Sequence, residues 1–210
     1  MIKTDIFKVG HLATNCYLIT DIDTGKMAVI DPGDKSDKLI NKINSENQNL
    51  EYVLLTHGHY DHIGFAKQLA DMFSAKIVIG REEADFLQQG MLNLYHFHPE
   101  LKKIEPFYAD ILLNDEDEFT LGNSNIRYIH TPGHTKGGGC YIIDNDIYSG
   151  DTVFCESYGR TDLPTGNNTQ MAKSLKKIKD LQGDFNIYPG HGSSSTLEHE
   201  RKYNPLMSRI

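Results

Sequence analysis

The chain has 210 residues, of which 39% are hydrophobic and 24% are charged. This composition is typical of a globular protein and argues against a disordered, collagen-like or membrane-embedded chain. The length suits one domain spanning 1–210, with a core large enough to be stable by itself. A net charge of −8, with no basic run longer than Lys176-Lys177, disfavours nucleic acid as a partner.

The apolar stretches are about five residues long, against the roughly 20 that a membrane-spanning helix requires. The N-terminal segment 1–15 lacks a basic stretch followed by an apolar one, so no secretory signal is expected. Cys16, Cys140 and Cys155 stand in no Cys-x-x-Cys spacing, so we expect three reduced thiols, each on a small buried residue. We therefore expect a soluble, cytoplasmic protein that acts on a small molecule, and the sequence indicates no oligomeric state.

The first half of the chain alternates strands and helices. Short apolar and alternating patterns predict strands at 5–9, 16–20, 27–30, 52–55 and 76–79. Helical spacing predicts a helix at 36–45 and a second one whose inner face carries Ile63, Ala66, Ala70 and Phe73. Residues 80–89 also have a helical pattern, whereas the aromatic-rich segment 90–108 is predicted to be a partly helical excursion near the functional site.

The second half repeats this order. Strands are predicted at 125–130, 139–143, 147–149 and 186–188, with a tight turn at 144–146. An amphipathic helix carries Met171, Leu175 and Ile178 on its apolar face, and a short helix follows the last strand. Since each half runs strands and then helices, the pattern predicts an α+β fold of two packed sheets with helices outside.

Three imidazoles and one carboxylate occur within six residues, directly after the predicted strand 52–55. They are His57, His59, Asp61 and His62. Because a turn is not locked into a period that sends alternate residues to opposite faces, its successive side chains can point at one place. Singly, each histidine would more often cap a strand or fill a polar pocket, but this spacing favours a metal site.

Three further candidate ligands follow later strands, each beside glycine, which permits a tight turn and close backbone approach. They are His134, Asp151 and His191. Seven nitrogen and oxygen ligands exceed the roughly three that one catalytic zinc takes from a protein. The pattern therefore predicts two metal ions, with His57, His59 and His134 at one, Asp61, His62 and His191 at the other, and Asp151 bridging them.

This ligand set predicts hydrolysis. Two divalent cations, two carboxylates and a bridging hydroxide leave a net charge of about +1, which would stabilise an oxyanion on a substrate carbonyl. Metal coordination lowers the pKa of bound water from about 15.7 to about 7, so a nucleophile exists at neutral pH without a serine or cysteine. Asp61 would orient that hydroxide. We expect Zn²⁺, although nitrogen and oxygen ligands do not by themselves select zinc over iron or manganese.

The ligands and their surroundings resemble the metallo-β-lactamase superfamily, and within it the small single-domain glyoxalase-II-like hydrolases, over nearly the whole chain. The matching motifs are Ala28-Val29-Ile30-Asp31-Pro32-Gly33, Thr131-Pro132-Gly133-His134-Thr135, Gly150-Asp151-Thr152-Val153-Phe154, Gly159-Arg160-Thr161-Asp162-Leu163-Pro164 and His191-Gly192 with Asn204-Pro205. The resemblance implies a four-layer αββα sandwich with the metals at one edge of its two sheets, and the same seven ligands. It also implies that Asp31 is a buried carboxylate that orients ligand imidazoles, the alternative being a cap of the turn at Pro32-Gly33.

The same resemblance implies hydrolysis of a thioester such as an S-acyl glutathione. Glyoxalase II enzymes bind glutathione through an additional C-terminal helical domain, whereas this chain ends about 20 residues after His191. Persulfide dioxygenases, which use one iron and O₂, share the Gly159–Asp162 motif and provide the alternative. A metal-binding protein without catalysis is a third interpretation. Arg160 is expected either to bind a substrate carboxylate or to brace its loop through Asp162.

The remaining histidines give weaker signals. His96 and His98 resemble a ligand pair but lack a third ligand nearby, so we expect them in the wall of a substrate pocket. His130, on a predicted strand, is expected to be a hydrogen-bonded core histidine. His11 and His199 are expected to be surface or loop residues.

Overall fold

The computed structural model describes residues 1–46, 49–98 and 104–210. The first of its two six-stranded sheets contains β1 (Ile2–Val9), β2 (Thr14–Asp21), β3 (Met27–Ile30), β4 (Leu50–Leu55), β5 (Lys76–Gly80) and β6 (Ile111–Leu113). These strands are adjacent in chain order, antiparallel from β1 to β3 and parallel from β3 to β6. The first sheet is therefore mixed.

The second sheet contains β7 (Glu118–Leu121), β8 (Ser124–His130), β9 (Gly139–Ile143), β10 (Asp146–Gly150), β13 (Asn186–Pro189) and β14 (Ser195–Thr196). Its order is β14-β13-β10-β9-β8-β7, and its one parallel pair within the described residues is β10 with β13. A separate two-stranded hairpin, β11 (Val153–Phe154) with β12 (Ser157–Tyr158), follows β10.

The α-helices lie between these strands in sequence. They are α1 (Asp37–Ser45), α2 (Tyr60–Ile63), α3 (Ala66–Phe73), α4 (Asn168–Lys179) and α5 (Leu197–Tyr203), and 3₁₀ helices occur at Arg81–Leu87, Tyr95–Phe97 and Met207–Arg209. Ser36, Asn167 and Thr196 cap α1, α4 and α5, because each side-chain oxygen accepts a hydrogen bond from a first-turn backbone N–H. No helix in the described ranges is long and apolar enough to cross a membrane.

Strand β2 is buried along its whole length and shows how the layers form. Since successive side chains of a strand point to opposite faces, Cys16 and Leu18 pack in one apolar cluster with α1 and α3. Tyr17 and Ile19 pack in a second cluster, which lies between the two sheets. One face of the first sheet is thus covered by helices and the other by the second sheet.

The second sheet repeats this arrangement in mirror order. On β9, Tyr141 and Ile143 face the first sheet, while Cys140 and Ile142 pack in a third cluster with α4 and α5. The sequence of layers is therefore helices, sheet, sheet, helices. The predicted four-layer α+β sandwich is confirmed.

Four buried tyrosines fill much of the space between the sheets, and each hydroxyl has a hydrogen-bond partner. The pairs are Tyr17 with the Pro189 carbonyl (2.5 Å), Tyr128 with the Gly137 carbonyl (3.1 Å), Tyr141 with the Leu55 carbonyl (3.0 Å) and Tyr148 with the Thr4 hydroxyl (2.7 Å). The first three carbonyls lie at or beyond the ends of β13, β8 and β4. The aromatic core therefore also holds the loops at one edge of the sandwich.

Strand direction brings those loops together. Strands β3 and β4 are parallel neighbours, so the residues that follow them emerge at the same edge of the first sheet. Strands β10 and β13 are parallel, and β8 runs in their direction because both β8 and β10 are antiparallel to β9. A hydrogen bond from the Gly139 N–H to the Thr56 carbonyl (2.9 Å) joins the two sheets at this edge.

Several predicted elements differ in detail. The second predicted helix is divided into α2 and α3, because the Phe65 N–H donates to the Pro32 carbonyl (2.9 Å), which lies outside the helix. Residues 80–89 form a 3₁₀ helix over Arg81–Leu87. The short strands β6 and β7 were not predicted. In segment 90–108 the described part contains the 3₁₀ turn Tyr95–Phe97, and residues 99–103 lie outside the described residues.

The cysteines divide into two groups. Cys16 and Cys140 are buried, which confirms their prediction as small core residues. Cys155 is exposed, so the prediction that it is buried is wrong. It occupies the tight turn between β11 and β12, where its side chain cannot be covered by the sheet.

Candidate metal centre

The seven predicted ligands meet at the edge where the strand ends converge. His57 and His59 follow β4, His134 follows β8, and Asp151 and His191 follow β10 and β13. Asp61 and His62 lie on the short helix α2. The structure places all seven in three overlapping groups, each with ligand atoms within 4.8 Å of one another: His57, His59, His134; His57, His62, Asp151; and Asp61, His62, His191.

The first group consists of three buried imidazoles. Nδ1 of His59 lies 3.1 Å from Nε2 of His57 and 2.9 Å from Nε2 of His134. Burial lowers the pKa of both His57 and His59, which favours their neutral forms. Because the Arg160 carbonyl can only accept, Nδ1 of His134 carries the proton in their 2.7 Å hydrogen bond. The Nε2 lone pair of His134 is therefore available to a cation.

The group of Asp61, His62 and His191 combines a carboxylate with two imidazoles. Asp61 Oδ2 lies 3.1 Å from Nε2 of His191 and 3.4 Å from Nε2 of His62. Thr14 donates a hydrogen bond to the same oxygen (3.1 Å), which fixes the carboxylate from the β1–β2 side. Burial opposes ionisation of Asp61, but His62 and His191 outweigh it and lower the pKa of this carboxyl.

Asp151 lies between the three-histidine group and the group of Asp61, His62 and His191. Its Oδ2 is 3.4 Å from Nε2 of His134 and 3.8 Å from Nε2 of His191, and its Oδ1 is 3.5 Å from Nε2 of His62. One carboxylate thus faces imidazoles of both groups.

The donor atoms fit metal ions. Nε2 of His62 and Oδ1 of Asp151 are buried, face each other and have no hydrogen-bond partner within the described part of the chain. Buried polar atoms are rarely left unpaired, so such a pair indicates a site for a ligand that supplies the missing bonds. A Cβ at Gly190 would lie 2.3 Å from Asp151 Oδ1, so this position must be glycine to leave the carboxylate room. Nitrogen and oxygen donors of this kind suit divalent zinc, iron or manganese.

Asp31 holds several parts of this arrangement together. Its carboxylate is buried and accepts hydrogen bonds from the Thr56 N–H (2.8 Å), the Thr56 hydroxyl (2.6 Å) and Nδ1 of His62 (2.9 Å). Asp31 also has a positive φ of 52°, an uncommon backbone conformation for a residue other than glycine. The Asp31 carboxylate keeps the His62 proton on Nδ1 and so directs Nε2 towards Asp61 and Asp151.

His62 shows the electrostatic balance of the centre. Burial alone would lower its pKa, but the carboxylates of Asp61, Asp151 and Asp31 raise it to about 10. Without cations, an imidazolium therefore partly neutralises three carboxylates. A metal ion would replace the Nε2 proton of His62, so its binding would compete with protons.

Sequence reasoning missed Glu83, a fully buried acid on the Arg81–Leu87 helix. Its Oε1 accepts from the Gly58 N–H (2.9 Å) and its Oε2 from the Gly137 N–H (2.8 Å). Gly58 stands between His57 and His59, and Gly137 follows His134, so one carboxylate ties together the loops that carry the three-histidine group. Burial raises the pKa of Glu83 to about 7, against the opposing effect of these donors. In the sequence Glu83 is one of three acids in the segment Arg81–Leu87, and nothing local distinguishes it from the other two.

We expect Glu83→Gln to destabilise the holoprotein and to loosen its metal binding. Glutamine supplies one acceptor oxygen where two buried N–H groups need one each, and leaving one unpaired costs about 1–3 kcal/mol. Denaturant unfolding and metal retention during dialysis against a chelator measure the two effects. The exposed neighbour provides the matched control, Glu82→Gln, and equal behaviour of the two variants would contradict the assignment.

Arg160 contributes its backbone to the centre. Its side chain is 63% exposed and forms a bidentate ion pair with Asp162 (2.7 and 2.8 Å). Of the two expectations for this residue, the geometry shows the brace with Asp162, while the Arg160 carbonyl accepts a hydrogen bond from Nδ1–H of His134. The signal for that second role was absent from the sequence because any residue has a carbonyl.

A cavity of about 150 Å³ opens beside Asp61. Its wall includes His11, Tyr60, Phe65 and Ile104. The rings of His11 and His98 pack on Tyr60, at centroid distances of 5.9 and 4.6 Å. Neither His96 nor His98 is among the residues that line this cavity, so their place in the wall of a substrate pocket stays a prediction. His11, expected on the surface or in a loop, is exposed and lines this cavity.

His130, predicted to be a hydrogen-bonded core histidine, is half-buried and hydrogen-bonded to the Lys136 carbonyl (3.0 Å).

The fold and the His/Asp cluster define a class of protein. The family model for the metallo-β-lactamase superfamily matches residues 9–191, and the chain belongs to this superfamily. Its members are mostly metal-dependent hydrolases. The resemblance seen in the sequence is thus confirmed.

Individual relatives cover nearly the whole chain. Hydroxyacylglutathione hydrolase GloC of Haemophilus influenzae is 35% identical over 214 aligned residues, which span 97% of each protein. The crystal structure of BLEG-1 B3 metallo-beta-lactamase is 31% identical, has a TM-score of 0.90 and covers 99% of this chain and 100% of its own. TTHA1623, solved in a di-iron-bound form, is 26% identical with a TM-score of 0.84, covering 96% and 98%.

Proposed function

We propose that this chain hydrolyses thioesters of small acyl thiols, such as S-acyl glutathiones, with two divalent metal ions at the seven-ligand centre. The observation that carries the proposal is the position of Asp151, whose oxygens lie within 3.8 Å of imidazoles from both ligand groups. The choice of a thioester is supported by the similarity to GloC, which is named a hydroxyacylglutathione hydrolase. We further propose that residues 1–210 form one domain and that the protein works in a reducing, cytoplasmic setting, which its three free thiols support.

The chain offers a ligand set for each ion. His57, His59 and His134 would hold one, Asp61, His62 and His191 the other, and Asp151 would contact both. Cations bound there would polarise a carbonyl oxygen and lower the pKa of water at the centre. We propose Zn²⁺ for these ions, and the nitrogen and oxygen donors would suit iron or manganese as well.

Besides binding a metal ion, Asp61 would orient the attacking water. Asp61 lines the cavity and is also a candidate ligand of the centre, so its carboxylate would lie where a substrate in the cavity meets the attacking water. As an acceptor fixed by Thr14 and His191, it would orient that water towards the thioester carbonyl. The aromatic and aliphatic wall of the cavity would hold the acyl or thiol part of the substrate and exclude bulk water from it.

The test combines metal analysis with a substrate panel. We expect about two metal ions per chain, and turnover of acyl thioesters well above that of lactones and phosphodiesters. A chelator should remove the metals and the activity together, and added Zn²⁺ should restore both. One iron per chain with O₂ uptake that depends on a persulfide would instead establish the dioxygenase alternative and refute the proposal.

A further inference from the structure

A second group of metal-ligating side chains lies outside the centre, on the hairpin that follows it. Cys155 and Glu156 form the two-residue turn between β11 and β12, and His199 of α5 packs against that turn. Their ligand atoms all lie within 4.8 Å of one another, and Nε2 of His199 is 3.0 Å from Oε1 of Glu156. We refer to these three residues as the hairpin cluster.

The hairpin cluster is held in place by groups that are not part of it. The Glu156 backbone has a φ of 54°, and its N–H donates to the fully buried carboxylate of Glu200 (2.9 Å). The ring of His199 packs on Tyr203, with centroids 4.7 Å apart. The turn and the helix are therefore positioned by the fold itself, which lowers the entropy cost of binding a ligand between them.

The donor set differs in kind from that of the centre. The seven ligands of the centre are nitrogen and oxygen donors, whereas the hairpin cluster supplies a thiol, an imidazole and a carboxylate. Thiolate ligands select zinc-like cations over magnesium, calcium or manganese, and a three-ligand zinc site keeps one position open to solvent. Cys155 is exposed and His199 is 38% exposed, so a cation can reach them. We propose that the hairpin cluster is an accessory site for a thiophilic divalent cation such as Zn²⁺.

Such a cation would cross-link the hairpin to α5, because its ligands come from both. Each strand of the hairpin has only two residues, and an isolated two-stranded hairpin of this kind is marginally stable. The hairpin begins two residues after Asp151 and ends two residues before Arg160, whose carbonyl fixes His134. Binding at the hairpin cluster would therefore stabilise the segment that carries two contacts of the metal centre. Because the Cys155 thiol and the Nε2–H of His199 must lose protons to bind, affinity should fall as pH falls.

The cobalt spectrum tests this proposal. The protein is first loaded with two equivalents of Zn²⁺, enough for the centre alone, is freed of unbound Zn²⁺ and is then titrated with Co²⁺. We expect one further equivalent to bind with a thiolate-to-cobalt charge-transfer band in the near ultraviolet, a signal that nitrogen and oxygen ligands cannot give. Cys155→Ser should abolish the band and the extra equivalent while the Zn²⁺ content of the centre is unchanged, and His199→Gln should weaken Co²⁺ binding at least about tenfold.

Two comparisons make the result decisive. Glu198→Gln changes an exposed acid next to His199 that lies outside the hairpin cluster, and it should leave the band intact. Cys16 and Cys140 remain in the Cys155→Ser variant, so a band that persists there would overturn the assignment. Absence of a further equivalent, or a further equivalent without the band, would overturn it as well. The band does not depend on turnover, so failure of the thioester hydrolase proposal would leave this test unaffected.

Discussion

Replacing Asp151 with alanine should abolish turnover and reduce the metal content at both halves of the centre. Asp151 is the carboxylate that faces His134 on one side and His62 and His191 on the other. Without it, each ligand group would lose a donor. The negative charge that offsets the repulsion between two nearby cations would also be lost. Loss of one electrostatic contact to a transition state costs about 10²–10³ in rate, and here both cations are affected, so we expect a decrease of about a thousandfold or more.

The measurement is metal stoichiometry by mass spectrometry alongside thioester turnover. Asp71→Ala is a suitable control, because Asp71 is an exposed aspartate on α3 that pairs with Lys67 and is in none of the ligand groups. The control should keep about two metal ions per chain. An Asp151→Ala protein that keeps the same stoichiometry as the wild type would refute a bridging role for this carboxylate.

Replacing Asp31 with asparagine should weaken metal binding about 10–100-fold, even though Asp31 is in none of the three ligand groups. The carboxylate accepts a hydrogen bond from Nδ1–H of His62, with the two heavy atoms 2.9 Å apart. An amide NH₂ at that position would donate instead, which would move the His62 proton to Nε2, the atom that faces Asp61 and Asp151. The cation would then meet a proton where it needs a lone pair.

Zinc affinity by competition with a chromophoric chelator measures this effect. We also expect the free energy of unfolding of Asp31→Asn to fall by about 1–3 kcal/mol, because a buried acceptor of three hydrogen bonds is altered. Asp37→Asn, an exposed acid in the first turn of α1, should leave zinc affinity unchanged. If Asp31→Asn binds zinc as tightly as that control, Asp31 does not set the tautomer of His62.

Much of the candidate site could be predicted because its information is local. His57, His59, Asp61 and His62 are close in sequence and follow an apolar strand, so their residue types and spacing suffice to identify them. His134, Asp151 and His191 are each marked by a strand before them and glycine beside them. The layers of the sandwich were predictable for a similar reason, since alternation along strands such as β2 already separates one face from the other.

Other features depend on contacts between distant parts of the chain. Glu83 accepts hydrogen bonds from backbone groups 25 and 54 residues away, and no local pattern distinguishes it from the other acids of its helix. The exposure of Cys155 depends on where the tight hairpin lies, and the strands β6 and β7 are too short for their apolar pattern to stand out. The division between α2 and α3 likewise requires the carbonyl of Pro32, which the sequence does not place near Phe65.

The amino-acid sequence by itself determined the types of the candidate ligands, their attachment to strand ends and the alternation that builds four layers, because each of these depends on neighbouring residues. The tertiary structure decided which imidazoles share Asp151, which nitrogen of His62 and His134 keeps its proton, and how Glu83 and Asp31 hold the loops. These depend on distances of about 3 Å between segments far apart in the chain, and hydrogen bonds weaken steeply beyond such distances. They are fixed only when the two sheets pack and bring their strand ends to one edge.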